Sequence, residues 1–196
     1  MTDFLVQELM KTQDPKFVND EWECRREIEL HVKEKHCIVA QDFDAELKQA
    51  QDNVHGSLKE VDLPNGGKLM LRDEHIKTPD VLFHPFFINK KEESVARQTH
   101  DCIIKCDQDI RKDLFKHIVL AGGSTMFPGM KERMRKEIQA LAPSPMGPEV
   151  DAPADRKNLC WLGGAILSQI SRFDHMYITK KEYDEDGKKI VHRKCF

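Results

Sequence analysis

No apolar run in these 196 residues approaches the ~20 needed for a helix to cross a bilayer, so no membrane-spanning helix is expected. No secretory leader is expected either, since Met1-Thr2-Asp3 is acidic where such a leader is basic, and a cytoplasmic protein is expected. Charge of one sign is not concentrated. The 31 Lys and Arg are interspersed with 34 Asp and Glu, leaving −3 overall, so neither a nucleic-acid footprint nor a polybasic membrane segment stands out. Six cysteines, Cys24, Cys37, Cys102, Cys106, Cys160 and Cys195, include no C-x-x-C pair, which fits reduced thiols and no structural metal. The two commonest phosphate signatures are also absent: no Gly-Lys-Ser/Thr closes a glycine loop, and no G-x-G-x-x-G occurs.

What remains is ordinary soluble composition, 39% hydrophobic and 33% charged, enough to bury a core. One stretch organises it. Ile118-Val119-Leu120-Ala121 is continuously apolar and predicts a strand covered on both faces. Gly122-Gly123 ends that strand, and Pro128 is placed to open a helix. Met130, Met134, Ile138 and Leu141 then recur on one helical face, with Lys131, Glu132, Arg135, Lys136 and Glu137 opposite. A strand feeding a helix through glycines can present N–H groups and a helix dipole to an anion.

Around this centre, the pattern predicts a first helix with Phe4, Leu5, Leu9 and Met10 on its apolar side and a longer one from Asn19 or Asp20 through Lys33. His31, His36 and Cys37 are close in sequence, but their spacing matches no familiar metal set. Asp44 to Gln51 predicts a short helix, and Glu60–Leu63 with Lys68–Leu71 flank a Pro64-Asn65-Gly66-Gly67 hairpin signal. Thr78-Pro79 is placed to open a helical turn that Pro85 limits, and the polar run Asn89 to Glu93 marks a boundary. A single helix near Gln98 to Phe115 would pack through Ile103, Ile110 and Leu114, making Cys102 and Cys106 structural. Pro143 to Pro148 reads as a loop. Leu162, Ile166, Ile170 and Phe173 form a stripe suited to core packing, Met176 to Thr179 a short strand, and Tyr183 to Lys189 an exposed segment.

Val119-Leu120-Ala121-Gly122-Gly123-Ser124-Thr125-Met126-Phe127-Pro128-Gly129 resembles the adenine-side nucleotide loop of the actin family. Lys105 to Leu114, Trp161-Leu162-Gly163-Gly164 and the ending Ile190 to Phe196 resemble the same family, and the likeness runs from Thr2 to Phe196. It implies a helix-rich α/β chain matching the C-terminal half of the actin-like ATPase (RNase H-like) fold. Residues 1–90 then resemble subdomain 4, 91–158 subdomain 3, and 159–196 the end of subdomain 1.

The resemblance implies an ATP/ADP cavity lined by Lys33, Glu34, Gly122, Gly123, Ser124, Met126, Phe127 and Lys157, with metal entering only through the nucleotide. Leu30 stands where the family has an arginine beside the base, so nucleotide binding is expected to be weak. The family's phosphate loops and metal-associated carboxylates lie in the other half of its fold. No catalytic residue is therefore assigned, and no ATPase activity is expected of this chain alone. Four charges, Lys90, Lys91, Glu92 and Glu93, stand in the stretch matching the family's apolar filament plug. Leu162, Ile166, Leu167, Ile170 and Met176 match one wall of the groove that receives amphipathic helices, where Arg172 replaces a small polar residue. The implied role is a cytoskeletal or scaffold protein whose partners are actin-like or actin-binding proteins, including a possible complementing chain.

Overall fold

The computed structural model describes residues 1–12, 28–52, 59–63, 68–143 and 147–195. Helix α1 (Thr2–Thr12) buries Phe4, Leu5, Val6 and Leu9. Met10, expected on that side, is exposed because Val6 takes its place on the inward arc. The predicted start of the next helix, with Trp22, Arg25 and Arg26, lies outside the described residues. From Ile28 to Lys33 the chain is π-helical, continuing into α2 (Glu34–His36). Ile28 and Val32 face inward while Leu30 is exposed.

Helix α3 (Phe43–Asp52) outruns its prediction by one residue at each end. Strands β1 (Lys59–Asp62) and β2 (Lys68–Leu71) pair antiparallel, with Val61 opposite Leu69. The predicted turn at Pro64 to Gly67 lies outside the described residues. Thr78-Pro79, expected to open a helical turn, instead sits in the last turn of α4 (Glu74–Asp80). Pro79 has no N–H for the His75 carbonyl four residues back, and that carbonyl accepts from the Ile38 N–H at 3.1 Å. A 3-10 turn, Pro85–Ile88, follows and ends at Asn89 in the left-handed region.

The single helix expected near Gln98 to Phe115 is two, α5 (Val95–Lys105) and α6 (Gln108–Lys116). Cys106 and Asp107 between them are extended, and the Cys106 carbonyl accepts from Arg111 Nε at 2.8 Å. Asp107 thereby takes the N-cap place its residue type favours. Ile103 is buried, but Ile110 and Cys102 are exposed, so the predicted packing role of that face is only partly met.

Strand β3 (Ile118–Val119) pairs parallel with β4 (Val150–Asp151), Ile118 opposite Val150. The strand is not covered on both faces: Ile118 and Leu120 are buried, Val119 is 57% exposed and Ala121 is exposed. An apolar run can therefore alternate after all when one side has no cover. Helix α7 (Met130–Leu141) buries Met130, Met134 and Ile138 as predicted, packs on α5 and β4, and also buries Arg133. One cluster, from Leu5 through Leu71, Phe115 and Met134 to Val150, forms the main core.

The C-terminal residues form α8 (Leu159–Ser168), a 3-10 turn (Ser171–Met176), α9 (Lys180–Asp186), a second 3-10 turn (Gly187–Ile190) and α10 (Val191–Lys194). The predicted strand at Met176 to Thr179 is not formed. Thr179 and Glu182 make a reciprocal capping box, so Thr179 opens a helix. The predicted core stripe is overturned as well. Leu162, Ile166 and Ile170 are exposed, Phe173 is half-buried, and Ile190 is the buried apolar residue of this segment.

Candidate functional site

Lys33 closes the π-helical turn and Glu34 opens α2, and both side chains line one cavity. Opposite them, Gly122 leaves β3 at φ 92 and starts a 3-10 turn, Gly123–Thr125. Between these walls lies a cavity of about 440 Å³ lined by Met1, Lys33, Glu34, Gly123, Ser124, Met126, Phe127 and Lys157. The structure thus brings together every cavity residue named from the sequence except Gly122, and adds Met1. Lys157 Nζ stands 3.7 Å from Glu34 Oε2 in a solvated ion pair, and Lys33 Nζ donates to Thr2 Oγ1 at 2.9 Å. Phe127 is buried, while Met126 is exposed.

The glycine loop differs from the expected strand-to-helix junction. The 3-10 turn intervenes, with Thr125 N–H donating to the Gly122 carbonyl and Met126 N–H to that of Gly123, so these amides are spent within the turn. Helix α7 begins only at Met130, with Gly129, rather than Pro128, at its N-cap. The N-terminus of α7 therefore does not open directly onto the glycine pair.

Gly129 is fixed by close approach. Its φ is 84, and a Cβ there would stand 2.3 Å from the Val39 carbonyl oxygen. The neighbouring bonds explain the crowding: Val39 N–H donates to the Pro128 carbonyl at 2.9 Å, and Gln41 Nε2 donates to that of Gly129 at 2.9 Å. Buried Arg133 completes the seam, donating to the Ala40 carbonyl at 2.8 Å, bonding Glu137 through Nε and standing over the Phe83 ring. Its Nη1 is 3.4 Å from Asp80 Oδ1, and Asp80 also bonds His84 Nδ1. Burial pushes the Asp80 carboxyl above its usual range, against the lowering influence of His84 and Arg133.

Arg156 ties the glycine loop to the turn that carries Lys157. Its guanidinium donates to the carbonyls of Thr125 at 3.1 Å and Pro153 at 3.0 Å, and its own carbonyl accepts from Gly122 N–H at 2.8 Å. Sequence reasoning passed over Arg156, Arg133 and Gly129. Only Gly129 left a signal, as a glycine directly before a strong amphipathic run.

The second group named from the sequence lies elsewhere. Leu162, Ile166 and Leu167 are exposed on α8, Ile170 just beyond it and Met176 at the end of the following 3-10 turn. Trp161, 75% exposed, and Tyr177 extend this apolar surface. No helix among the described residues is long and apolar enough to cross a membrane, and no cluster of three or more His, Cys, Asp or Glu among them could hold a metal. Cys37 is buried between α2 and the seam, and burial pushes its thiol up to about 12. A family model described as Actin matches residues 7–196.

Proposed function

Because the chain belongs to the actin family, we propose that it is an actin-like cytoskeletal or scaffold protein working through its protein-binding surfaces. Adenine-nucleotide binding is a weak accessory property of the cavity. The observation that carries this reading is α8, an apolar helix with no buried residue. Leu162, Ile166, Leu167, Ile170 and Met176 give it an exposed face of the kind that receives the apolar side of an amphipathic helix. Actin-like and actin-binding proteins of the cytoplasmic cytoskeleton are the partners this face suits. We assign residues 1–90, 91–158 and 159–196 to units like subdomain 4, subdomain 3 and the end of subdomain 1, within the second half of the actin fold. The test is titration with an amphipathic helical peptide: the wild type should bind and Ile166→Asp should lose binding, whereas equal binding by both would refute the assignment.

The cavity supports ATP or ADP through its nucleoside end. Its volume lies within the range of small-molecule sites. Glu34 can accept from ribose hydroxyls, Met126 offers apolar surface to a base, and Lys157 supplies a donor once its solvated pair with Glu34 opens. Exposed Leu30 supplies no planar cation for stacking. Phosphoryl transfer needs charge neutralisation and an aligned nucleophile, and the cavity's two lysines meet neither need alone, so hydrolysis is not assigned to this chain. Glu34→Ala or Lys157→Ala should weaken a fluorescent ADP analogue, with little further effect from a γ-phosphate.

A second reading is favoured by β3. Its pairing with β4 uses one edge, and Val119 projects 57% exposed from the uncovered face. A complementing chain covering that face would assemble an ATP-binding actin-type ATPase. Gel filtration with candidate partners separates the readings, since only the second predicts a defined complex that turns over ATP.

A further inference from the structure

Two histidines meet the backbone seam that supports the cavity. His36 ends α2, the helix that begins with Glu34 of the cavity wall, and His75 lies in the first turn of α4. The Ile38 N–H donates to the His75 carbonyl at 3.1 Å, and the next amide, Val39, donates to the Pro128 carbonyl at 2.9 Å. The extended residues 37–40 are therefore held by α4 on one side and by the far end of the glycine loop on the other. At this junction Nδ1 of His36 and Nδ1 of His75 are both buried without a hydrogen-bond partner.

The electrostatic surroundings are unequal. Lys59 of β1 acts on both rings and Lys35 on His36, which also feels His75; every one of these influences opposes a charge on His36. Around His75, the Arg72 carbonyl, Glu74 and Asp73 favour the charge, and Glu46 of α3 lines the same shallow hollow as His75 and Lys59. Burial is nonetheless the largest influence on each ring, and both are lowered from the ordinary 6.5. A histidine lowered in the folded state contributes its stability in full above 6.5 and loses it as pH falls from there through the folded value.

We propose that His36 and His75 form a proton-operated clasp, in which protonation of both rings parts α4 from residues 37–40 and loosens the cavity wall carrying Lys33 and Glu34. Two positive charges would then meet where both Nδ1 atoms are buried, with Lys59 and Lys35 close by, and among the described residues the backbone tie across it is the Ile38 amide. The opening stands on the junction itself, while its consequence for ligand rests on the nucleotide reading above.

Ring titration by NMR and amide exchange test the clasp. Both rings should titrate below the ordinary value. The protection factor of the Ile38 amide should fall measurably between about pH 7.5 and about pH 5.5, across the range where the ordinary histidine value lies. Ile138, buried in α7, should keep its protection as the internal control. His36→Leu combined with His75→Gln should abolish the fall, and if that protein does not fold, His75→Asn alone should reduce it. Rings titrating at or above the ordinary value, or constant Ile38 protection, would overturn the proposal. A fluorescent ADP analogue should bind more weakly at the lower pH in the wild type only. Binding that is equal at both pH values while Ile38 opens would sever the clasp from the cavity. Binding absent at every pH would refute the nucleotide reading, with the Ile38 measurement still deciding the clasp.

Discussion

The seam beneath the cavity and the C-terminal helix α8 are both built from a glycine-containing sequence beside an apolar run, yet they use it in opposite ways. At the seam, Gly129 lets two backbones touch, and Arg133, Asp80 and Phe83 close around the contact with almost no exposure. In α8, Gly163 and Gly164 meet nothing within 4 Å, and the large apolar side chains stand in solvent. One region has satisfied its surface internally and the other has left it for something else. Substitution should therefore cost folding stability in the first region and binding in the second.

The sharpest test is the buried ion pair. Asp80→Ala removes the fully buried carboxylate beside Arg133, leaving the guanidinium only partly exposed Glu137, and should destabilise the protein by about 3 kcal/mol in urea unfolding, the low end of the cost of breaking a buried pair. A loss no larger than that of a surface substitution would erase the distinction drawn here. Gly129→Ala comes next. It forces a Cβ against the Val39 carbonyl at positive φ, and roughly 2 kcal/mol should be lost, with weaker protection of the Val39 amide.

At α8 the expected sign of the experiment changes. Leu162→Ser or Ile166→Ser should alter stability by no more than about 0.5 kcal/mol, as exposed positions do. A loss of several kcal/mol would mean that the face is covered within the chain. The smallest effect concerns the latch after α8. Glu182 is held down to about 2, first by Lys194 and then by Thr179, although it is solvated. A lowered carboxylate contributes above its ordinary 4.5 and loses that contribution as pH falls toward 2, so only a local loosening of α9 and α10 is expected there by NMR. Lys194→Ala should reduce the acid sensitivity, Thr179 keeping part of it, and leave the seam untouched.

Much of this architecture follows from local rules. Strands β1 and β2, helix α3 and the inward face of α7 are legible because the period of the pattern matches the element. The cavity residues were legible differently, through likeness to a family loop. Their convergence depends on Glu34 and Lys157 meeting across more than a hundred residues, which no period describes.

The exceptions are long-range as well. Ile118 to Ala121 is apolar throughout, but whether Val119 is inside depends on what lies over that face. The α8 stripe has the spacing of a core helix, and only its surroundings make it a surface. Arg133 reads as one more charge on a charged helix until Asp80, Ala40 and Phe83 converge on it from elsewhere in the chain. Sequence alone determined several helical and strand periods and the family of this protein. Tertiary structure decided which apolar faces are covered and which charges are buried, because burial belongs to the pair of surfaces that meet and a local pattern describes only one of them.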